Sequence, residues 1–153
     1  MDEIDRKILG CLQRDASMPV AEVAAAAGLS TSPCWRRIQK LEAEGVIRSR
    51  VALLDKEKLN LGVTVFAMVK TSRHETSWLE TFARAVAELP EVVEFYRMSG
   101  EVDYLLKIVV PDIAAYDAVY KRLIEKVSFY DVSSSFAMEQ IKYTTALPLS
   151  YVE

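Results

Sequence analysis

Histidine and cysteine are nearly missing from this chain, with one His and two Cys among 153 residues. His74 stands alone, and Cys11 and Cys34 are far apart in sequence, so neither a zinc site nor a disulfide framework is expected. His74 lies in the charged stretch SRHETS and reads as a solvated loop residue. A phosphate-cradling glycine loop and a nucleophile–base pair are also missing, so no catalytic residue, metal or cofactor is expected. No apolar run approaches the ~20 residues of a membrane span. The start, MDEIDRK, lacks the apolar core of a signal peptide, and a cytoplasmic location is the expectation.

Excess positive charge is lacking too. The formal net charge is −3, unusual for a surface that binds nucleic acid throughout. The charge is divided unevenly. Residues 1–50 hold 8 Lys/Arg against 7 Asp/Glu, whereas residues 51–153 hold 11 against 15. A near-neutral head would grip phosphates through a local patch, weakly as one copy, and a dimer would remedy that.

What is present centres on Gly28 to Gly45, GLSTSPCWRRIQKLEAEG. As a helix beginning near Ser32 or Pro33, it puts Cys34, Ile38 and Leu41 on one apolar stripe. Ser30 or Ser32 can cap its free amides, and Pro33 near the start has no donor to waste. The outer face carries Ser32, Arg36 and Gln39, flanked by Trp35 and Lys40. Cations for phosphates and Ser, Gln and Arg for base edges are what a major-groove reader needs. Ser30, Thr31, Ser32, Trp35, Arg36, Arg37, Gln39 and Lys40 are therefore the candidate DNA contacts. Arg37 lies near the buried edge and reads as a structural ion pair or phosphate contact, not a base reader. Ala24, Gly28 and Cys34 have the spacing of a helix-turn-helix, a spacing that an ordinary helical hairpin would share.

Ahead of this unit, Ile4, Ile8, Cys11 and Leu12 predict a first helix over residues 3–14, with Asp2, Glu3 and Asp5 favouring its N-terminal dipole. Behind it, Val46 to Leu54 reads as extended and Asp55 to Gly62 as a charged connector. The pattern then changes. A strand over Val63–Lys70 precedes a helix marked by Trp78, Phe82, Ala85, Val86 and Leu89. Strands over Val92–Met98 and Asp103–Val110 flank a turn at Gly100. A helix marked by Tyr116, Val119, Tyr120, Leu123 and Val127 leads to a strand over 132–140. This βαββαβ order is that of a ferredoxin-like sheet with both helices on one face. The strands are apolar on both faces, so the uncovered face implies a second copy of the sheet.

The stretches IDRKILGCLQRDA, LSTSPCWRRIQKLEAEGVI and GEVDYLL, in this order, resemble the Lrp/AsnC (feast/famine) transcription regulators over nearly the whole chain. The resemblance implies an α+β architecture: a winged-type helix-turn-helix domain over 1–47, a linker over 48–62, a ferredoxin-like (RAM) domain over 63–142 and an extended tail over 143–153. It also implies double-stranded DNA and a small amino acid as partners, nucleoid association, and homodimers assembling into octamer-like rings. TSPCWRRIQKLE, RVALLDKEKLNLG and SSFAMEQIKYTTALPL resemble most the branch containing the cysteine-responsive detoxification regulator, which suggests L-cysteine as effector. An amino acid needs amide donors and a carboxylate. Ser99, Gly100 and Asp103, with the adjoining Tyr104, offer both, and Ser133, Ser134 and Ser135 offer hydroxyls. Gly100 making a plain hairpin turn is the alternative. Sirohaem decarboxylases resemble the same family, so an enzyme stays a rival, as does an architectural DNA binder of weak specificity.

Overall fold

The computed structural model describes residues 1–72 and 75–152. His74 lies outside the described residues. The chain divides into two compact units, one formed by Met1–Leu53 with the C-terminal residues from Lys142, the other by Leu54–Ile141.

Three helices build the first unit: α1 (Glu3–Arg14), α2 (Val20–Ala27) and α3 (Thr31–Ala43). A reciprocal cap starts α1. The Asp2 carboxylate accepts from the Asp5 amide at 2.8 Å, and the Asp5 carboxylate accepts from the Asp2 amide at 3.2 Å. Gly28 ends α2 in the left-handed region at φ 75°, where a Cβ would be strained, and so turns the chain into α3. Ser30 occupies the position before α3 without a side-chain cap, and Pro33 sits in its first turn. Ile8, Cys11, Val23, Ala24, Cys34, Ile38 and Leu41 form the core, so the apolar stripe of α3 is buried as its spacing predicts.

The second unit holds β1 (Val63–Lys70), α4 (Thr76–Ala87), β2 (Val92–Arg97), β3 (Tyr104–Val110), α5 (Ile113–Lys126) and β4 (Asp131–Phe136). Its sheet runs β2-β3-β1-β4 with every pair antiparallel. Val65, Ala67 and Val69 of β1 and Leu106, Ile108 and Val110 of β3 bury themselves with Trp78, Phe82, Val119 and Leu123 of the helices. Burying a side chain such as Phe82 contributes about 1.5–3 kcal/mol. The opposite face carries Phe66, Met68, Leu105 and Val109, all partly exposed, and Tyr96, 49% exposed. A register irregularity between Val92 and Glu94 sets Glu94 opposite Lys107, and the two pair at 2.7 Å on that open face.

Two segments differ from the sequence expectation. The last strand, expected over 132–140, stops at Phe136 because its partner runs out. Phe136 lies opposite Val65, Ala137 bonds Thr64, and β1 begins at Val63. Residues 46–54 join no strand among the described residues, leaving Val51, Leu53 and Leu54 at 70%, 62% and 73% exposure.

Candidate DNA-reading and ligand sites

The outer face of α3 is assembled by its stripe. Once Cys34, Ile38 and Leu41 point inward, Thr31, Ser32, Trp35, Arg36, Gln39 and Lys40 must point outward, and all six are exposed. Ser30, just before the helix, is exposed as well. Thr31, Ser32, Trp35 and Arg36 line a shallow concavity with Val20 of α2, a residue the sequence analysis did not single out. Arg36 makes no ion pair among the described residues, so its guanidinium is free for an anion or a base edge. Lys40 has only a long contact to Glu44, at 3.8 Å.

Arg37, a candidate DNA contact that also reads as a structural ion pair, is engaged in that ion pair. Its guanidinium donates to Asp2 at 2.6 Å and to Asp5 at 2.8 Å, tying α3 to the start of α1. The hydrogen bonds to Asp5 and then Asp2 hold it charged beyond its ordinary range. The Asp2 carboxyl is held low, first by the Asp5 amide and then by Arg37. Its position at the edge of the apolar stripe carried that signal. Gln39 is partly committed too: its amide donates to Glu42 at 2.9 Å, and Arg50 donates to the other Glu42 oxygen at 2.8 Å. Glu42 escaped the sequence analysis because nothing local marks a carboxylate that orients two neighbours.

Both cysteines are free and buried. Burial, and secondarily the nearby Cys11, push the Cys34 thiol up, so it stays protonated and inert.

In the second unit, the turn between β2 and β3 is built around Asp103. Its carboxylate accepts from the Thr71 amide at 2.8 Å, its own amide donates to Val69 at 3.0 Å, and its carbonyl accepts from Met98 at 2.8 Å. Gly100 adopts φ 108°, which a side chain would resist, and Ser99 and Gly100 are exposed. The turn therefore sits at the end of the sheet where β1 finishes and β4 begins. Ser133, opposite Met68, and Ser135, opposite Phe66, share the open face, with Ser133 nearer that end.

Two predicted ligand contacts lie on the other side. Tyr104 is 5% exposed, its ring packed among Trp78, Phe82 and Phe95. The Ser134 hydroxyl points to the helices and shares a hydrogen bond with the Tyr116 hydroxyl. Period-two alternation explains both: Tyr104 has the parity of Leu106 and Ile108, and Ser134 that of Val132. Among the described residues, no group of His, Cys, Asp and Glu is placed to hold a metal.

A helix-turn-helix head with a free reading face, joined to a ferredoxin-like sheet with a polar turn, is the build of a DNA-binding regulator with a ligand domain. Comparison with known proteins makes the class specific. Residues 1–42 match the AsnC-type helix-turn-helix domain, and residues 64–147 match the Lrp/AsnC ligand binding domain. The chain belongs to the Lrp/AsnC family of transcriptional regulators. It is 50% identical to the glutamate uptake regulatory protein of Zymomonas mobilis over 149 residues, covering 97% of this chain and 91% of that one. It is 49% identical to the DNA-binding transcriptional activator DecR of Escherichia coli over 150 residues, covering 97% and 99%. Among solved structures it resembles an AsnC family transcriptional regulator from Agrobacterium tumefaciens, with TM-score 0.97, 64% identity and full coverage of both chains. It also resembles a Neisseria meningitidis regulator solved as an L-methionine complex, with TM-score 0.94, 37% identity and 100% and 99% coverage. No helix is long and apolar enough to cross a membrane, among the described residues.

Proposed function

We propose that this regulator reads its operator through Ser30, Thr31, Ser32, Trp35, Arg36, Gln39 and Lys40, and that a small amino acid bound at the β2–β3 turn tunes that reading. The observation carrying the proposal is the unpaired, exposed Arg36 beside Ser32 and Trp35, on a helix whose other arginine is locked to α1. Arg36 supplies a phosphate or guanine contact, Gln39 and Ser32 read base edges, and Trp35 offers an apolar surface to a thymine methyl.

For the effector, Ser99 and Gly100 supply backbone amides for a carboxylate, and Asp103 keeps one oxygen for an ammonium beside the one held by Thr71. Ser133 and Ser135 complete the polar lining. L-Cysteine is the first effector to test, on the likeness of TSPCWRRIQKLE and SSFAMEQIKYTTALPL to the cysteine-responsive branch. L-Methionine, bound by the Neisseria relative, is the second. The open sheet face, with Phe66, Met68, Leu105 and Tyr96, favours pairing with a second copy, and dimers of this kind would close into rings such as octamers. The protein acts in the cytoplasm, on the nucleoid. Relatives that match 97% of the chain are regulators, which favours binding over catalysis. The test is DNA affinity for the protein's own upstream region, titrated with amino acids.

A further inference from the structure

The C-terminal segment does not hang free. From Lys142 onward it belongs to the DNA-reading unit, although the residues just before it belong to the other. Its grip on α1 is specific. The Gln13 amide donates to the Leu147 carbonyl at 3.2 Å and accepts from the Leu147 amide at 2.6 Å, a two-way pair that copies one rung of a β-ladder. Five residues on, the Val152 carbonyl accepts from Arg6 at 3.3 Å. Between them a short 3-10 turn, Leu149–Tyr151, sets Leu149 against the helical core, with its Cδ1 beside Gly10, where α1 has no side chain. Arg6, Gly10 and Gln13 thus form one seat along α1.

That seat lies one link from the reading helix. α1 holds α3 through Asp2 and Asp5 on Arg37, the neighbour of Arg36. The ligand-binding unit is therefore joined to the DNA-reading unit twice along the chain, after Leu53 and again after Ile141. The first junction follows the end of α3 by ten residues, while the second leads into the segment seated on α1.

We propose that the segment 146–152, seated on α1 by Gln13, Arg6 and Leu149, is a strap that transmits ligand occupancy to the reading helix, with Gln13 as its positioning residue. The proposal rests on the ligand response argued above. Differential contacts in two states are needed for any coupling, and a seat made of one amide pair, one carbonyl bond and one apolar anchor can be made or released as a unit.

The experiment compares full-length wild type with Gln13→Ala, a substitution that suits a helix and spares the core. DNA affinity is measured with and without L-cysteine, L-methionine and L-glutamate, and hydrogen exchange is followed at the Leu147 amide. In wild type the effective amino acid should change DNA affinity at least about fivefold. In Gln13→Ala that ratio should fall below about twofold, with helicity and oligomer unchanged, and the Leu147 amide should exchange at least about tenfold faster. Gln13→Glu keeps the acceptor for the Leu147 amide and should restore part of the ratio. A merely structural role would lower Tm and leave the ratio intact. Equal ratios in wild type and Gln13→Ala, or an unchanged Leu147 exchange rate, would overturn the strap alone. A wild type blind to all three amino acids would overturn the ligand response, and the transmission with it.

Discussion

At the residue scale, three side chains are told apart by what they touch. Arg36 and Arg37 are adjacent and chemically identical, yet one faces solvent and the other is clamped by two carboxylates. The difference is the 100° step of a helix, which moves one residue to the edge of the buried stripe. Arg36→Ala should weaken operator binding about ten- to a hundredfold, the cost of one good base or phosphate contact, with fold and oligomer intact. Unchanged affinity in a filter-binding or anisotropy titration would refute the groove assignment. Asp103 has a dual position, holding the Thr71 amide and facing the exposed turn. Asp103→Asn keeps an acceptor for Thr71 and removes the charge an ammonium needs. Amino-acid affinity should fall at least about tenfold while Tm stays within the scatter of a neutral surface change. A calorimetric titration showing full affinity in Asp103→Asn would leave the residue a turn-former only.

At the scale of elements, most of the architecture is legible because most elements obey a local period. The α3 stripe of Cys34, Ile38 and Leu41 is buried as its spacing demands, and the βαββαβ order follows from alternation between Val63 and Phe136. Cys34→Ser tests the stripe directly: a hydroxyl placed at a fully buried apolar position costs about 1–3 kcal/mol and should lower the melting point of the head. A variant as stable as wild type would mean that the site reaches water. What the sequence hides is non-local. Gln13 meets Leu147 across 134 positions, and no periodicity marks either. The end of β4 is hidden for the same reason, since it is set by where β1 starts. Tyr104 and Ser134 are different: their parity is legible in the sequence, and it turns both toward the helices whatever their hydrogen-bonding chemistry. On the open face, the Glu94 carboxyl is held below its ordinary range by Lys107 first and by Tyr96 second. A depressed carboxyl contributes stability above its unfolded pKa and loses it as pH falls through the folded value. The Tm advantage of wild type over Glu94→Gln should therefore be full above the ordinary carboxylate range and shrink as pH falls through the lowered folded value. A gap persisting in acid would assign it to packing instead.

The whole molecule combines a head of near-neutral charge with an acidic ligand unit, so affinity for DNA must come from a local patch, which the proposed pairing of copies would multiply. Coupling between ligand and operator is reciprocal: whatever factor the amino acid imposes on DNA affinity, DNA imposes on the amino acid. The most direct measurement is binding of the purified protein to its own upstream DNA, titrated with L-cysteine beside L-methionine and L-glutamate. Specific binding whose affinity changes at least about fivefold with an amino acid is the predicted result. A shift produced by L-methionine or L-glutamate in place of L-cysteine would keep the mechanism and replace the effector. Affinity blind to every amino acid would contradict ligand-tuned reading and leave an architectural DNA binder.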